Sequence, residues 1–133
     1  MTHEKNILVI DDESDILDFV SKVLRDGGYG VATAQDAEEG LAILRKMKID
    51  LLLLDIMLPR VDGWSMIKIM KGDSRLKNIP VAMLTARVDA HDKVIGLKEG
   101  AVDYICKPFT ADILLQRVNE IFKYISNEKN TRS

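Results

Sequence analysis

Ile7-Leu8-Val9-Ile10-Asp11-Asp12 is the stretch on which the reading of this chain turns. Four consecutive apolar residues leave no polar face, as in a strand covered on both sides within a parallel sheet. Two adjacent carboxylates then stop the run. The pattern returns at Leu51-Leu52-Leu53-Leu54, closed by Asp55, and at Tyr104-Ile105-Cys106, closed by Lys107-Pro108. Side chains just past parallel strands gather at the carboxyl edge of the sheet, where open α/β sheets bind their ligands. Three carboxylates and one ammonium are therefore expected at one spot. That set suits a metal ion and a phosphoryl group, and packing alone does not require it.

Outward from these runs, strand-like and helix-like segments alternate five times, the signature of a βα-repeated parallel sheet. The first strand is read at Asn6 to Ile10 and the first helix at Ser14 to Asp26, with Ile16, Val20, Val23 and Leu24 on one stripe. Gly27-Gly28 ends that helix, because glycine takes the left-handed closing conformation at little steric cost. Tyr29 to Ala34 forms the second strand. Asp36 caps a second helix through Met47, with Glu39 placed as in a capping box and Leu41 and Leu44 facing inward. The third strand is Asp50 to Leu54, and Pro59 and Gly63 frame a loop before a helix from Gly63 to Lys71. Pro80 lacks an amide hydrogen and suits the entry to a fourth strand, Val81 to Leu84, with Thr85 at its exit. A fourth helix, Asp89 to Glu99, contains Gly96 and a short apolar stripe, and is expected to be the least stable. Val102 to Cys106 is the fifth strand. Thr110 caps a last helix whose Leu114, Val118, Ile121, Phe122 and Ile125 make a core face. The polar stretch from Ser126 onward reads as a frayed tail or cut linker, which gives one domain over residues 1–126 and a tail over 127–133.

Bulk properties narrow the function. The 133 residues suffice for one core, and 47% hydrophobic with 30% charged residues is a globular mix. A formal net charge of −2 gives no footprint for nucleic acid, and no apolar stretch reaches the length of a membrane span. The amino terminus has no secretion-type apolar region, so the expected location is cytoplasmic. Cys106 is the only cysteine, which rules out an internal disulfide, and it reads as a small buried hydrophobe. His3 and His91 have no partners at metal-ligand spacing and read as surface residues.

Asp11, Asp12 and Asp55 repel one another unless a divalent cation joins them, and an all-oxygen set suits Mg²⁺, with Mn²⁺ as the alternative. Lys107 either neutralises these acids or supplies a point charge for a phosphoryl group. Thr85 adds a hydroxyl at the neighbouring strand end, and the unobstructed amide of Ala86 can donate beside it.

The stretches ILVIDDES (7–14), LLLLDIMLPRVDGW (51–64), VAMLTA (81–86) and GAVDYICKPF (100–109), in this order and spacing, resemble the receiver domains of two-component response regulators. The resemblance implies a flavodoxin-like, doubly wound (βα)₅ fold with strand order 2-1-3-4-5, as in the chemotaxis member of that family. It implies Asp55 as phosphoacceptor from a sensor histidine kinase or phosphotransfer protein. Mg²⁺ would be held by Asp12, Asp55 and the Met57 carbonyl, with Asp11 acting largely through water. Thr85, Ala86 and Lys107 would bind the phosphoryl group, and Lys107-Pro108 would be cis. Thr85 and Tyr104 would form a switch that changes the surface of the fourth helix, fifth strand and fifth helix. That surface would be read by a downstream protein, by an effector domain absent from the sequence, or by a second copy in a phosphorylation-dependent homodimer. The start of the first helix near Ile16 and the loop at Pro59, with Trp64 at its border, would receive the kinase. Met57 and Arg87 stand at positions that tune the lifetime of the phosphorylated state.

Other readings fit less well. A phosphatase of the haloacid dehalogenase type needs an acid two residues after its nucleophile, where this chain has Met57. A nucleotide or flavin module would carry glycines after the first strand, where this chain is acidic. A purely scaffolding receiver would lack some of the reactive positions, all of which are filled. The chain is thus expected to be a signalling domain rather than a turnover enzyme.

Overall fold

A computed structural model describes residues 5–86 and 100–132, with side chains to residue 127. The expected fourth helix, together with His3, Arg87 and His91, lies outside the described residues. Strands β1 (Asn6–Ile10), β2 (Gly30–Ala34), β3 (Leu51–Leu54), β4 (Val81–Thr85) and β5 (Ala101–Cys106) form one sheet in the order β2-β1-β3-β4-β5. All four pairings are parallel. Helices α1 (Ser14–Asp26), α2 (Ala37–Lys46) and α3 (Gly63–Lys71) and a C-terminal helix (Ala111–Arg132) complete the described elements. The flavodoxin-like architecture and strand order expected from the sequence are the ones observed.

The apolar runs explain the layering. Along β1, Leu8 and Ile10 join Leu52, Leu54 and Met83 under α2 and α3, while Ile7 and Val9 join Leu51, Leu53 and Leu84 under α1 and the C-terminal helix. Every side chain of Ile7–Ile10 and Leu51–Leu54 is fully buried. Each such burial contributes roughly 1.5–3 kcal/mol, so these two strands are the energetic centre of the domain. Because both faces are apolar, hydrophobic alternation cannot set the register of β1 on β3. The charged ends can, since a one-residue slip from Ile10 opposite Leu54 would part the buried Asp11 from its cation.

Helix ends follow local chemistry. Asp36 accepts from the Glu39 amide at 2.8 Å, and Glu39 Oε1 accepts in return from the Gln35 amide at 2.8 Å. Thr110 Oγ1 accepts from the Ile113 amide as expected. Asp62 caps α3 through the Ser65 amide, a cap not read from the sequence. Gly28 takes φ +97 after α1, which only glycine adopts freely.

Three expectations change. Leu17, not Ile16, is the buried residue in the first turn of α1, with Ile16 half-buried at the margin. The C-terminal helix runs to Arg132 across residues expected to fray, because a solvated helix needs no apolar stripe to continue. Cys106 is exposed rather than buried: it is the last residue of β5, which is an edge strand. Trp64 packs half-buried against the α2–α3 layer.

Candidate functional site at the carboxyl edge of the sheet

Parallel pairing brings the ends of β1, β3, β4 and β5 to one edge. The Asp11 amide still donates to Ala34 O (3.1 Å) and the Asp55 amide to Ile10 O (3.0 Å), so both acids sit at the last ladder positions. The Lys107 amide donates to Thr85 O at 2.8 Å, which ties the segment after β5 to the end of β4. The Lys107-Pro108 bond is cis, as expected.

Lys107 Nζ donates to Asp11 Oδ2 at 2.6 Å and to Asp55 Oδ2 at 3.4 Å. Carboxylate oxygens of Asp11, Asp12 and Asp55 all lie within 4.8 Å of one another. Asp11 and Asp55 are buried and Asp12 is exposed, so the cluster opens to solvent on one side. Short local bonds aim the acids. Asp11 Oδ1 accepts from the Glu13 amide (2.9 Å) and Asp55 Oδ1 from the Met57 amide (3.0 Å).

The electrostatics are unbalanced in one direction. Three carboxylates face one ammonium, and Glu13 Oε1 adds a fourth at 3.9 Å from Lys107 Nζ. Burial pushes the Asp55 carboxyl above its ordinary pKa; the Met57 amide and Lys107 pull the other way without cancelling it, and Asp11 adds to the rise. Burial works against the Lys107 ammonium, yet the hydrogen bond to Asp11 and the fields of Asp11, Asp55 and Glu13 outweigh it and raise its pKa. Oxygen donors around an uncompensated negative charge fit a hard divalent cation such as Mg²⁺ or Mn²⁺.

Of the other expected residues, Thr85 is fully buried at the end of β4 and Ala86 is exposed just beyond it. The Met57 side chain is 58% exposed. Tyr104 is only 5% exposed and lies in the α2–α3 core layer, directly opposite Met83 in the β4–β5 pairing. Two features escaped sequence reasoning. Glu13 could have been noticed as the third acid in an unbroken acidic run. Arg117 had no local signal: from the C-terminal helix it forks onto Asp103 and donates to Tyr104 O at 2.8 Å, beside the expected switch residue. The hydrogen bond and field of Asp103 raise the Arg117 pKa.

Comparison with known proteins agrees with this geometry. Residues 7–119 match the family model described as the response regulator receiver domain. The chain is 42% identical over 117 residues to the DNA-binding dual master transcriptional regulator RpaA of Synechocystis, covering 88% of this chain and 48% of that protein. It is 40% identical over 122 residues to the phosphate regulon transcriptional regulatory protein PhoB of Klebsiella pneumoniae, covering 92% of this chain and 53% of that protein. The chain therefore spans about half the length of the curated relatives it matches. Among solved structures, chemotaxis protein CheY4 of Vibrio cholerae superposes with a TM-score of 0.83 at 33% identity, covering 87% of this chain and 97% of that one. A CheY-like receiver domain protein of Methanospirillum hungatei gives a TM-score of 0.84 at 31% identity, covering 93% and 98%.

Proposed function

Since the chain belongs to the response regulator receiver domain family, whose members accept a phosphoryl group, we propose that it does so on Asp55 from a histidine kinase or phosphotransfer protein. The observation that carries this reading is the meeting of Asp55 Oδ2 with Lys107 Nζ (3.4 Å) inside an acid cluster within 4.8 Å. Both oxygens of this carboxylate are held in place, Oδ1 by the Met57 amide and Oδ2 by the Lys107 ammonium.

The residues divide the work. Asp55 attacks in line while the donor's phosphorus–nitrogen bond breaks, and the leaving imidazole takes a proton. Lys107 shifts from Asp11 towards the incoming phosphoryl oxygens and offsets their charge. The Thr85 hydroxyl and the Ala86 amide donate to the same oxygens from the end of β4. Asp11, Asp12, Asp55 and the Met57 carbonyl would hold Mg²⁺, with Mn²⁺ as the alternative, and when bound it would supply positive charge to the phosphoryl group. The product is an acyl phosphate that water cleaves slowly, so the domain signals rather than turns over a substrate. The output is a changed surface around Tyr104, β5 and the C-terminal helix, read by a downstream protein, an effector domain or a second copy. Thr85 moving towards the phosphoryl group and Tyr104 following it would be the first steps of that change. The protein is proposed to work in the cytoplasm, where its kinase presents phosphohistidine.

Intact-mass spectrometry after incubation with acetyl phosphate and Mg²⁺ tests the chemistry. One added phosphoryl group is expected, and none when the metal is chelated beforehand or in Asp55→Asn. Uptake by Asp55→Asn at the wild-type rate would refute the assignment.

A further inference from the structure

We propose that the opposite, amino edge of the sheet carries a docking groove for an acidic, partly apolar segment of a partner protein. A groove of ≈ 820 Å³ lies there between the ends of α2 and α3, the starts of β3, β4 and β5, and the C-terminal helix. Five cations line it: Lys5, Lys48, Lys71, Arg75 and Lys77. The one lining carboxylate, Asp50, is occupied by the Asn6 amide at 2.8 Å. Among the described residues, only Arg75 of the five has a carboxylate in reach, Asp73 at 3.7 Å. Among the described residues, a chain of net charge −2 thus gathers five cations against one carboxylate at the edge farthest from its acid cluster.

A bare run of lysines is ordinarily just a solvated face. Two of these lysines are instead placed by the fold. Lys71 Nζ donates to Lys77 O at 3.1 Å, and it packs against Gly100, where a Cβ would stand 2.7 Å from Lys71 Cε. Gly100 also has φ +106, so the close approach and the backbone conformation both favour glycine. Lys5 Nζ stands 6.0 Å over the Phe122 ring, which itself stacks on Tyr29. Between the cations the lining is apolar, with Ile79, Pro80 and Val102 half-buried in the floor. Met47 and Tyr124 border it at 44% and 55% exposure.

Positive charge beside exposed apolar surface calls for an occupant with both complements. An acidic peptide segment with interspersed apolar side chains has them, and methionine adapts readily to such side chains. A small ligand would want a more enclosed site than this open groove. Single-stranded nucleic acid would want a series of stacking aromatics, and Tyr124 alone is well exposed here.

The test uses a fluorescein-labelled peptide of alternating glutamate and leucine, followed by anisotropy against the whole chain. Saturable binding is expected, weakened about tenfold in Lys48→Glu/Lys77→Glu, as two lost ion pairs imply. Met47→Ser/Tyr124→Ser is expected to weaken it several-fold, a change that pure charge attraction would not produce. Asp55 labelling by acetyl phosphate, at the far edge, should be unchanged in both variants and reports that they fold. Unchanged peptide affinity in either variant overturns the proposal, as does equal competition by an oligothymidylate of matching charge. Because the groove does not involve Asp55, failure here leaves the phosphoacceptor reading standing, and the converse also holds.

Discussion

Lys107 Nζ lies 2.6 Å from Asp11 Oδ2 but 3.4 Å from Asp55 Oδ2, so the ammonium is held chiefly by the carboxylate that is not the proposed acceptor. Asp11 is fully buried and the Lys107 side chain is 13% exposed. Deleting the lysine leaves that carboxylate without its charge partner. Removing one member of a buried pair costs about 3–5 kcal/mol, and the partial solvent access of Lys107 puts the expected loss near the lower figure. Urea denaturation of metal-free Lys107→Ala should show it as a lowered midpoint with an unchanged slope. Saturating Mg²⁺ should restore part of the loss, because it supplies the missing positive charge to the same acids. A midpoint equal to wild type would show that the pair is energetically idle.

Asp55 is expected to weaken the metal-free protein. Its folded-state pKa is raised above 3.8, chiefly by burial. The unfolded chain therefore releases this proton first as pH rises, and stability falls from about pH 3.8 upward until the folded carboxyl has also ionised. The deficit then persists at neutral pH. Asp55→Asn keeps an acceptor for the Met57 amide and removes the charge. It should raise stability at pH 7, read as a higher Tm than wild type. The gain should disappear at low pH, where the native carboxyl is already protonated. Mg²⁺ should stabilise the wild type and leave the asparagine variant nearly unmoved. A thermal melt series across pH in the presence of chelator checks both halves.

How much of this was legible in the sequence depends on how local each signal is. The Ile7–Ile10 and Leu51–Leu54 runs announce a sheet covered on both sides, and their terminal carboxylates announce the edge where a site forms. Asp36 with Glu39 carries its cap in adjacent residues, so α2 could be placed closely. The burial of Leu17 instead of Ile16 depends on the angle at which α1 meets the sheet, which no periodicity encodes. Cys106 looked internal because it ends an apolar run, yet β5 is an edge strand and its last residue is exposed. The Arg117–Asp103 fork joins residues fourteen apart, one on a strand and one on a helix, and emerges only once the helix has docked. Gly63 looked like a loop marker, and its real constraint is a backbone contact that the sequence does not display.

That contact bears directly on the site. A Cβ on Gly63 would stand 2.8 Å from Asp55 O and 2.9 Å from Ile56 Cα. Both are backbone atoms, so no rotamer change relieves the clash, and the segment carrying Asp55 and Met57 must move. Gly63 also donates from its amide to Ile56 O at 2.9 Å, which would shift with it. Gly63→Ala is expected to cost about 2 kcal/mol. It should also slow acetyl phosphate labelling of Asp55 about tenfold or more, because misplacing a nucleophile is costly in rate. The comparison that matters is with a core variant of equal instability, such as Ile67→Val combined with Leu44→Val. If that control labels just as slowly, the glycine has no positioning role.

Gly40 makes the analogous contact between α2 and β1, but against a side chain. A Cβ there would lie 2.2 Å from Ile10 Cδ1, 3.1 Å from Ile10 Cγ1 and 3.5 Å from Met66 Cε. The clash is therefore with the end of one isoleucine, which can be removed. Gly40→Ala alone sets overpacking of about 1–3 kcal/mol against a helix-propensity gain of about 1 kcal/mol, a net loss of about 1 kcal/mol. Ile10→Val alone deletes the Cδ1 methyl and should cost about 1 kcal/mol by leaving a void. Together the new methyl enters the space the old one leaves. The double variant should then be less destabilised than the sum of the singles by about 1 kcal/mol, a coupling that contact pairs commonly show. Denaturant midpoints for the four proteins measure it, and strict additivity would mean that α2 and β1 do not meet at these two residues.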